Sequence, residues 1–263
     1  MDTTSLLTCA IDAALRAGDE ILAVYGTSFD VERKADDSPL TEADRRAHRV
    51  IVEGLQSTGL PVLSEEGADI PYDQRRDWDR FWLVDPLDGT KEFIKRNGEF
   101  TVNIALISDG APVLGVIWVP VSRRLYFGAA EVGAYRADEV SPRASWSEYV
   151  AAARRLPCEP ARDQMVVVAS RSHPSPETEA FFEQLRAEHG SIELRSVGSS
   201  LKICLVAEGS ADVYPRFGPT MEWDIAAGQA IAVAAGRAVV DHESGDPMRY
   251  NKANLRNGWF IVR

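Results

Sequence analysis

The stretch Phe81-Trp82-Leu83-Val84-Asp85-Pro86-Leu87-Asp88-Gly89-Thr90 is an apolar strand that leads two aspartates into a tight turn. Proline fixes one φ angle in this turn, and glycine permits an unusual one and the close approach of a ligand. A helix that begins at Thr90 would add free backbone N–H groups, which commonly bind phosphate. The same residues also fit a strand that ends in an Asx-type turn, so both interpretations stay open.

Three further acids stand at the ends of predicted elements. Glu65 follows the apolar run at 61–64, Asp224 lies at a predicted helix start, and Asp44 lies in the first turn of another predicted helix. Each also has an ordinary explanation, respectively a surface acid, a partner of the helix dipole and a capping-box acceptor for Thr41. Two like charges 4 Å apart repel by about 1 to 4 kcal/mol, so a shared cleft would need cations. Carboxylate oxygens select magnesium, calcium or manganese over zinc, but the sequence alone leaves open whether these acids meet.

Other metal and phosphate motifs do not match. The chain contains no Walker A sequence, no H-E-x-x-H and no C-x-x-C, and residues 85–90 lack the alternating acids and distal glutamate of an EF-hand. The nearest rival is the D-x-D-G-T signature of phosphatases that form an aspartyl phosphate. Its first spacing is one residue shorter, so the aspartate pair would be presented differently. We reject this signature, which remains the best mechanistic alternative.

The composition is that of a soluble globular protein. With 263 residues, of which 45% are hydrophobic and 26% charged, the chain can bury one large core or two small ones. A formal net charge of -11 argues against a nucleic-acid polymer as partner, because no basic stripe is present. Three dispersed cysteines indicate neither disulfides nor a zinc knuckle, so we expect a reducing cytoplasm. Neither a secretory signal nor an apolar run of about 18 residues is visible, so we expect no membrane insertion.

Hydrophobic periodicity indicates two halves. In the first, we predict helices at 5–25 and about 41–56 and strands at 61–64 and 81–84. Strands at 101–107 and 113–119 flank the hairpin signal Ser108-Asp109-Gly110-Ala111, and those at 124–129 and 133–136 are expected to be further antiparallel strands. After about residue 137, strands and helices alternate, which favours partly parallel pairing, at 165–169, 176–188, 192–196 and 200–207. Because the segment 137–163 is rich in Pro, Arg and Ala, we place the boundary there. The predicted halves are 1–137 (α+β) and 138–263 (α/β).

Two segments together resemble the paired signatures of the inositol monophosphatase superfamily. They are residues 85–90 and Trp223-Asp224-Ile225-Ala226-Ala227-Gly228. The likeness tightens at 91–103, 198–202 and 214–220, where the chain is similar to the bacterial 3'(2'),5'-bisphosphate nucleotidase branch. The resemblance runs from about residue 5 to the C-terminus. It implies an α/β (α+β) fold, a layered αβαβα sandwich with metals where the two halves meet.

The resemblance also implies a metal set, most of it in the N-terminal half. The first Mg²⁺ would be held by Glu65, Asp85 and the Leu87 carbonyl, and the second by Asp85, Asp88 and Asp224. Two metals about 3.5 to 4 Å apart can hold both the attacking and the leaving oxygen of an in-line displacement. No residue then needs to become phosphorylated. Two or three Mg²⁺ per active site are expected.

By the same resemblance, three residues handle the attacking water. Thr90 resembles the residue that orients this water together with Glu65. Asp44 resembles an acid that is linked either to a third metal or to the water. These three are the expected catalytic residues.

Substrate choice would come from the C-terminal half. Lys202 offers an ammonium near a helix start, and Arg216 offers a planar guanidinium for phosphate or base. In isolation, both residues would be interpreted as solvated surface cations. The resemblance to the nucleotidase branch instead implies that they bind substrate. The implied substrate is adenosine 3',5'-bisphosphate, which gives AMP and phosphate in sulfate assimilation. The implied substrate-binding set is Leu87, Asp88, Gly89, Thr90, Ser199, Ser200, Lys202, Arg216 and Asp224.

Several alternatives stay open. The chain could instead hydrolyse an inositol or sugar phosphate within the same superfamily. A non-catalytic binder that senses nucleotide or metal is a hypothesis from another class, but binding alone needs no water-positioning residues. Residues 170–173 could also approach the nucleotide. Some members of the superfamily associate with the inner membrane surface, but no basic amphipathic helix supports this here, and the oligomeric state is open.

Overall fold

The computed structural model describes residues 1–28, 31–33, 39–67, 70–141, 145–170 and 175–263. Its helices are α1 (Thr3–Tyr25), α2 (Glu42–Leu55), α3 (Tyr72–Arg75), α4 (Thr90–Ile94), α5 (Trp146–Ala151), α6 (Pro176–His189), α7 (Leu201–Glu208) and α8 (Glu222–Ala234). Its strands are β1 (Val31–Arg33), β2 (Pro39–Thr41), β3 (Val62–Ser64), β4 (Arg80–Asp88), β5 (Thr101–Ser108), β6 (Ala111–Val119), β7 (Arg124–Ala129), β8 (Gly133–Asp138), β9 (Ala153–Arg155), β10 (Met165–Ala169), β11 (Ile192–Ser196), β12 (Tyr214–Arg216), β13 (Val239–Asp241) and β14 (Phe260–Val262).

A seven-stranded sheet forms the centre of the molecule, in the order β3-β4-β5-β6-β7-β8-β9. β3 and β4 are parallel, and the remaining neighbours are antiparallel. Its central strands are nearly continuous apolar runs because both of their faces are buried. The predicted hairpin is present as β5 and β6, and its turn places Asp109 and Gly110 at positive φ.

Helices cover both faces of this sheet. α1, α2 and α5 pack on one face, and α7 and α8 pack on the other. The contact with α8 is close at Gly115 of β6, because a Cβ there would lie 2.2 Å from the Ala227 carbonyl oxygen. This close packing holds the start of α8, and with it Asp224, against the central sheet.

A second layer of short strands lies beyond α7 and α8. β10 and β11 are parallel, and β12, β14 and β13 form an antiparallel sheet. A bridge between Val167 and Val213 joins the two sheets. α6 packs on the outer side through Phe182 and Leu185. The layers therefore alternate α-β-α-β-α, and the predicted fold class is confirmed.

The predicted elements are present, and β4 extends further than predicted, to Asp88. The extension follows a register irregularity between Asp85 and Asp88, which is typical of a bulge. α5 and β9 were not predicted, and β9 pairs with β8, so the central sheet continues beyond residue 137. The division at 137 and 138 stays a prediction. No helix in the described ranges is long and apolar enough to cross a membrane.

Candidate active site

The two aspartates of the opening stretch lie where β4 ends. Asp85 is buried, and its Oδ1 accepts a hydrogen bond from the Leu87 backbone N–H at 3.1 Å, which closes the turn. Gly89 follows at φ 93°. A Cβ on Gly89 would also lie 3.3 Å from the Ser199 Cβ, so both conformation and space favour glycine. The predicted helix begins next, as the single turn α4.

Four carboxylates interact at this turn. Burial, followed by the charges of Glu65, Asp88 and Asp224, raises the pKa of Asp85 well above its ordinary value. Burial and then Asp88 raise the pKa of Asp224 to about 8. A bound dication would reverse both shifts, because it favours the ionised carboxylates. The structure thus brings together four acids that come from three separate segments of the sequence.

The donor chemistry of these acids fits a hard metal ion. Asp88 Oδ2 accepts hydrogen bonds from Ser200, and Asp224 Oδ2 accepts one from the Met221 N–H at 2.9 Å. The Oδ1 atoms of both aspartates accept no hydrogen bond from the described residues, and oxygens of this kind suit Mg²⁺. Within the same residues, however, no three Asp, Glu, His or Cys side chains are already arranged to hold a metal ion. The four acids are therefore close enough for their charges to interact, but in this structure they are not arranged as a coordination sphere.

Asp44 and Thr90 meet at the starts of two helices. Asp44 Oδ2 accepts hydrogen bonds from the Thr41 N–H at 2.7 Å and hydroxyl at 2.6 Å, which confirms the predicted capping box of α2. The Thr90 hydroxyl lies 3.5 Å from Asp44 Oδ1 and 3.4 Å from the Leu87 carbonyl. Both distances are long for an O–H···O bond, so this hydroxyl is only weakly held by the protein.

Ser200 connects the carboxylates with the second half of the chain. Its N–H donates to Asp88 Oδ2 at 2.6 Å, and its hydroxyl lies 2.5 Å from the same oxygen. The hydroxyl is also 2.6 Å from the Asp224 carbonyl and accepts from Asn103 Nδ2 at 2.8 Å. Because Ser200 is buried among these protein partners, its position favours support of Asp88 over direct contact with substrate.

The 197–200 loop, which precedes α7, is held from two sides. The Gly198 N–H donates to Glu99 Oε2 at 2.7 Å. The Lys202 ammonium donates to the Ser199 carbonyl at 2.7 Å and to the Val197 carbonyl at 3.4 Å. Ser199 has φ 48°, an uncommon conformation for a residue other than glycine. Burial lowers the pKa of Lys202 to about 8, so at pH 7 the ammonium stays mainly protonated.

A cavity of about 460 Å³ adjoins this loop. Its lining includes seven residues of the predicted site, namely Asp88, Gly89, Ser199, Ser200, Lys202, Arg216 and Asp224. Glu65, Asp85, Leu87, Thr90 and Asp44 do not form its lining. Its volume is in the usual range for a small-molecule site.

Arg216 is held at the edge of this cavity. Its Nη1 donates to the Ser170 hydroxyl at 2.7 Å, and its Nη2 donates to the Pro219 carbonyl at 2.9 Å. Its buried Nε has no partner among the described residues. Residues 171–174, including the part of the 170–173 prediction around His173, lie outside the described residues.

Three residues at the site were not singled out from the sequence. Asn103 contacts Ser200 and lies opposite Asp85, and a polar residue inside the apolar strand β5 was an available signal. Glu99 anchors Gly198, and no local pattern marks that contact. Tyr214 lines the cavity, and in the sequence it lies within the segment 214–220, where the resemblance implies no role for it.

Comparison with known proteins identifies the family. The sequence pattern of the inositol monophosphatase family matches residues 2–258. The chain belongs to the inositol monophosphatase family. The resemblance inferred from the motifs is therefore confirmed. Members of the family are generally metal-dependent phosphatases.

Similar members of the family include both nucleotidases and inositol monophosphatases. A Salmonella typhimurium protein named 3'(2'),5'-bisphosphate nucleotidase CysQ is 52% identical over 232 residues, or 87% of each chain. The crystal structure of CysQ from Bacteroides thetaiotaomicron has a TM-score of 0.91 and 53% identity, and covers 99% of this chain and 97% of its own. An inositol monophosphatase from Anabaena has a TM-score of 0.72 at 25% identity, with 98% and 90% covered.

Proposed function

We propose that this chain is a Mg²⁺-dependent 3'(2'),5'-bisphosphate nucleotidase that converts adenosine 3',5'-bisphosphate to AMP and phosphate. The supporting observation is that one cavity is lined both by Asp88 and Asp224 and by Lys202 and Arg216. Carboxylates can bind the metal ions that would in turn bind the oxygens of the phosphoryl group that is cleaved. Separate cations suit a second phosphate that is retained, and an inositol monophosphate has no such group. The relative from Salmonella typhimurium carries the name of this activity.

The proposed metal ligands are the side chains of Glu65, Asp85, Asp88 and Asp224 and the carbonyl of Leu87. We infer two or three Mg²⁺ ions, the third associated with Asp44. When bound, Mg²⁺ would neutralise these carboxylates and polarise the phosphoryl group. The burial and mutual repulsion of the acids support this assignment, because they make the site costly without a cation.

The proposed catalytic residues act on the attacking water. The weakly held Thr90 hydroxyl is available to a water, and Glu65 can accept a proton from that water. Asp44 Oδ1 lies 3.5 Å from the Thr90 hydroxyl, so Asp44 is close enough to act on the same water. Phosphate-monoester hydrolysis is so slow without catalysis that orientation and charge stabilisation must both contribute. No covalent phosphoenzyme is needed.

The retained part of the substrate is assigned to the side of the cavity that residues between 199 and 216 line. Leu87, Asp88, Gly89, Thr90 and Asp224 are the proposed contacts of the cleaved phosphoryl group. Ser199, Lys202 and Arg216 are the proposed contacts of the nucleotide. Ser200 belongs to the proposed set through the N–H and hydroxyl that hold Asp88.

Phosphate release from two substrates tests the proposal. We expect wild-type protein with Mg²⁺ to hydrolyse adenosine 3',5'-bisphosphate far faster than inositol 1-phosphate, and to lose this activity after EDTA treatment. A clear preference for the inositol ester would reject the nucleotide assignment. Binding of the nucleotide without any turnover would instead indicate a non-catalytic sensor. Inhibition by millimolar Li⁺ is a further expectation that follows from the family resemblance.

A further inference from the structure

We propose that Tyr214 is a specificity-determining residue whose hydroxyl donates a hydrogen bond to the substrate's second phosphate, the one that is not cleaved. This inference rests on the proposed function, since it assigns a residue to the substrate of that reaction. Three observations support it: the position of the side chain, the absence of a hydrogen-bond partner for the hydroxyl among the described residues, and the donors around it.

The position of Tyr214 follows from strand β12. Tyr214 pairs with Val262 and Arg216 pairs with Phe260 across β14. Residues two apart in a strand point to the same face, so Tyr214 and Arg216 share one face, and both line the 460 Å³ cavity. The tyrosine ring is fixed there, because it packs edge-on against Phe260 with ring centroids 5.8 Å apart.

The hydroxyl of Tyr214 has no hydrogen-bond partner among the described residues. The residue as a whole is only 4% exposed, but its hydroxyl oxygen is not among the fully buried atoms, so it is accessible from the cavity that Tyr214 lines. The other deeply buried tyrosines all have a hydrogen-bond partner. Tyr126 donates to Glu208, Tyr149 to Asp12 and Tyr250 to Gln229, at 2.7 to 2.8 Å. The phenols of the other buried tyrosines are satisfied by protein groups, whereas that of Tyr214 is accessible from a ligand cavity, so it is available to donate to the ligand.

The neighbouring groups select an anion with several acceptor oxygens. The Lys202 ammonium lies 5.6 Å from the centroid of the Tyr214 ring and uses two of its three protons on backbone carbonyls. The buried Nε of Arg216 has no partner in the part of the chain that the structure describes. Lysine and arginine can only donate, so a nucleobase edge with its own N–H donors would match them less well than a phosphate.

Two further properties agree with this assignment. Burial raises the pKa of Tyr214, so its hydroxyl stays protonated and able to donate throughout the neutral pH range. Glu92 also lines the cavity and would oppose an anion, but Lys91 and Lys95 from the same helix turn line it too. The balance of lining charges outside the metal-binding acids is therefore positive.

The test is the variant Tyr214→Phe, which keeps the ring and its packing and removes only the hydroxyl. KM and kcat are measured with adenosine 3',5'-bisphosphate and with adenosine 3'-monophosphate, which lacks the second phosphate. We expect KM for the bisphosphate to rise about 10-fold or more with kcat nearly unchanged, and no change in KM for the monophosphate. Competitive inhibition by AMP, which retains the second phosphate, should weaken by the same factor. Tyr135→Phe is the control, because its hydroxyl bonds to the Val132 carbonyl and Tyr135 does not line the cavity.

An unchanged KM for the bisphosphate, or an equal rise for both substrates, would overturn the assignment of Tyr214. Failure of the wild-type protein to hydrolyse the bisphosphate would instead reject the proposed function. In that case calorimetric binding of AMP to wild-type and Tyr214→Phe protein still decides the inference. Equal affinities would overturn it, and a selective loss in the variant would support it. Thermal melting of both proteins verifies that the fold is intact.

Discussion

The two carboxylate oxygens of Asp88 lie in different surroundings. Oδ2 receives the N–H and hydroxyl of Ser200, with longer contacts to Asn103 at 3.3 Å and Thr101 at 3.5 Å. Oδ1 has no hydrogen-bond donor among the described residues. Hydrogen-bond donors of this kind orient a carboxylate that binds a metal ion and tune its affinity for the ion. Asp88 therefore links the proposed metal centre to the 197–200 loop.

Replacement of either Asp88 or Asp224 by Asn tests the metal centre at the residue scale. Loss of a supporting residue around a metal typically costs about 10- to 100-fold, so loss of a ligand should lower kcat by at least about 100-fold. We expect the fold to survive, since the substitution preserves shape and removes one of several neighbouring carboxylates. Steady-state kinetics at saturating Mg²⁺ and circular dichroism measure the two effects.

Asp109→Asn is the matched control for both variants. Asp109 lies in the exposed turn between β5 and β6 at φ 52°, a conformation that asparagine tolerates well. Its kcat should equal that of the wild type. Near-normal turnover of Asp88→Asn and Asp224→Asn would contradict the assignment of these residues as metal ligands.

At the scale of elements, the 197–200 loop is packed against the segment that contains α4. A Cβ added to Gly198 would lie 2.6 Å from Glu92 Cγ and 2.9 Å from the Glu99 carbonyl oxygen. The Gly198 N–H is also bound to the Glu99 side chain. The loop therefore has little freedom to move without loosening Ser200, and with it Asp88.

Gly198→Ala should disturb substrate binding through steric displacement of this loop. A misplacement of about 1 Å can cost on the order of 100-fold in rate, so we expect kcat/KM to fall by about 10- to 100-fold. Gly26→Ala is the control, because a Cβ there meets only the Leu22 carbonyl oxygen at 3.6 Å. Equal kcat/KM for Gly198→Ala and the wild type would show that the loop does not position the site.

At the scale of the whole molecule, a buried ion pair joins the central sheet to α7. Arg136 on β8 and Glu208 have side chains that are 5% and 4% exposed, and their atoms Nη1 and Oε2 are 2.6 Å apart. The Tyr126 hydroxyl donates to the same Glu208 oxygen at 2.8 Å. Arg136 Nη1 also donates to Glu159 Oε1 at 2.8 Å. Removal of Glu208 would therefore leave Arg136 still bonded to Glu159 and would remove the acceptor of the Tyr126 hydroxyl.

Glu208→Ala should lower the free energy of unfolding by about 3 kcal/mol, the lower end for a broken buried ion pair, because Glu159 still compensates Arg136. The matched surface pair, Glu193 with Arg195, has side chains that are 44% and 37% exposed, and Glu193→Ala should cost less than about 1 kcal/mol. Urea denaturation measures both. A loss at Glu208 as small as the loss at Glu193 would mean that this network contributes little to holding the layers together.

The stability of the whole molecule should depend on pH once metal is removed. Because burial raises the pKa of Asp224 from 3.8 to about 8, the folded protein in EDTA retains a proton that the unfolded chain has released. The contribution of Asp224 to stability is therefore fully present below about pH 4, and it is lost as the pH rises through about 8. The melting temperature in EDTA should therefore fall between about pH 6 and pH 8.5. Mg²⁺ needs the deprotonated carboxylates, so it should raise the melting temperature more at the higher pH.

The Asp224→Asn variant isolates this effect, since it removes one of the titrating carboxyls. Its melting temperature in EDTA should vary less with pH than that of the wild type. Differential scanning fluorimetry across the pH series provides the measurement. If the melting temperature of the wild type in EDTA did not change over this pH range, the proximity of the acids would not raise their pKa values.

Features that depend on neighbouring residues were predictable from the sequence alone. Period-2 and period-3.6 patterns identify most of the long strands and helices. The capping box joins Thr41 to Asp44, which are only three positions apart. The turn at 85–90 is likewise local, because proline and glycine restrict its backbone directly. Family resemblance added which acids belong together, and the structure shows that Glu65, Asp85, Asp88 and Asp224 do interact.

Contacts between distant segments were decided only by the tertiary structure. Glu99 bonds to Gly198, and Ser200 bonds to Asp88 rather than standing free as a helix cap. Tyr214 lies in the segment 214–220 that carries the resemblance, but only the folded structure shows that it lines the cavity and that its hydroxyl has no partner among the described residues. The physical reason is that a hydrogen bond depends on where two groups meet in space, whereas sequence periodicity records only which side of its own element a residue faces.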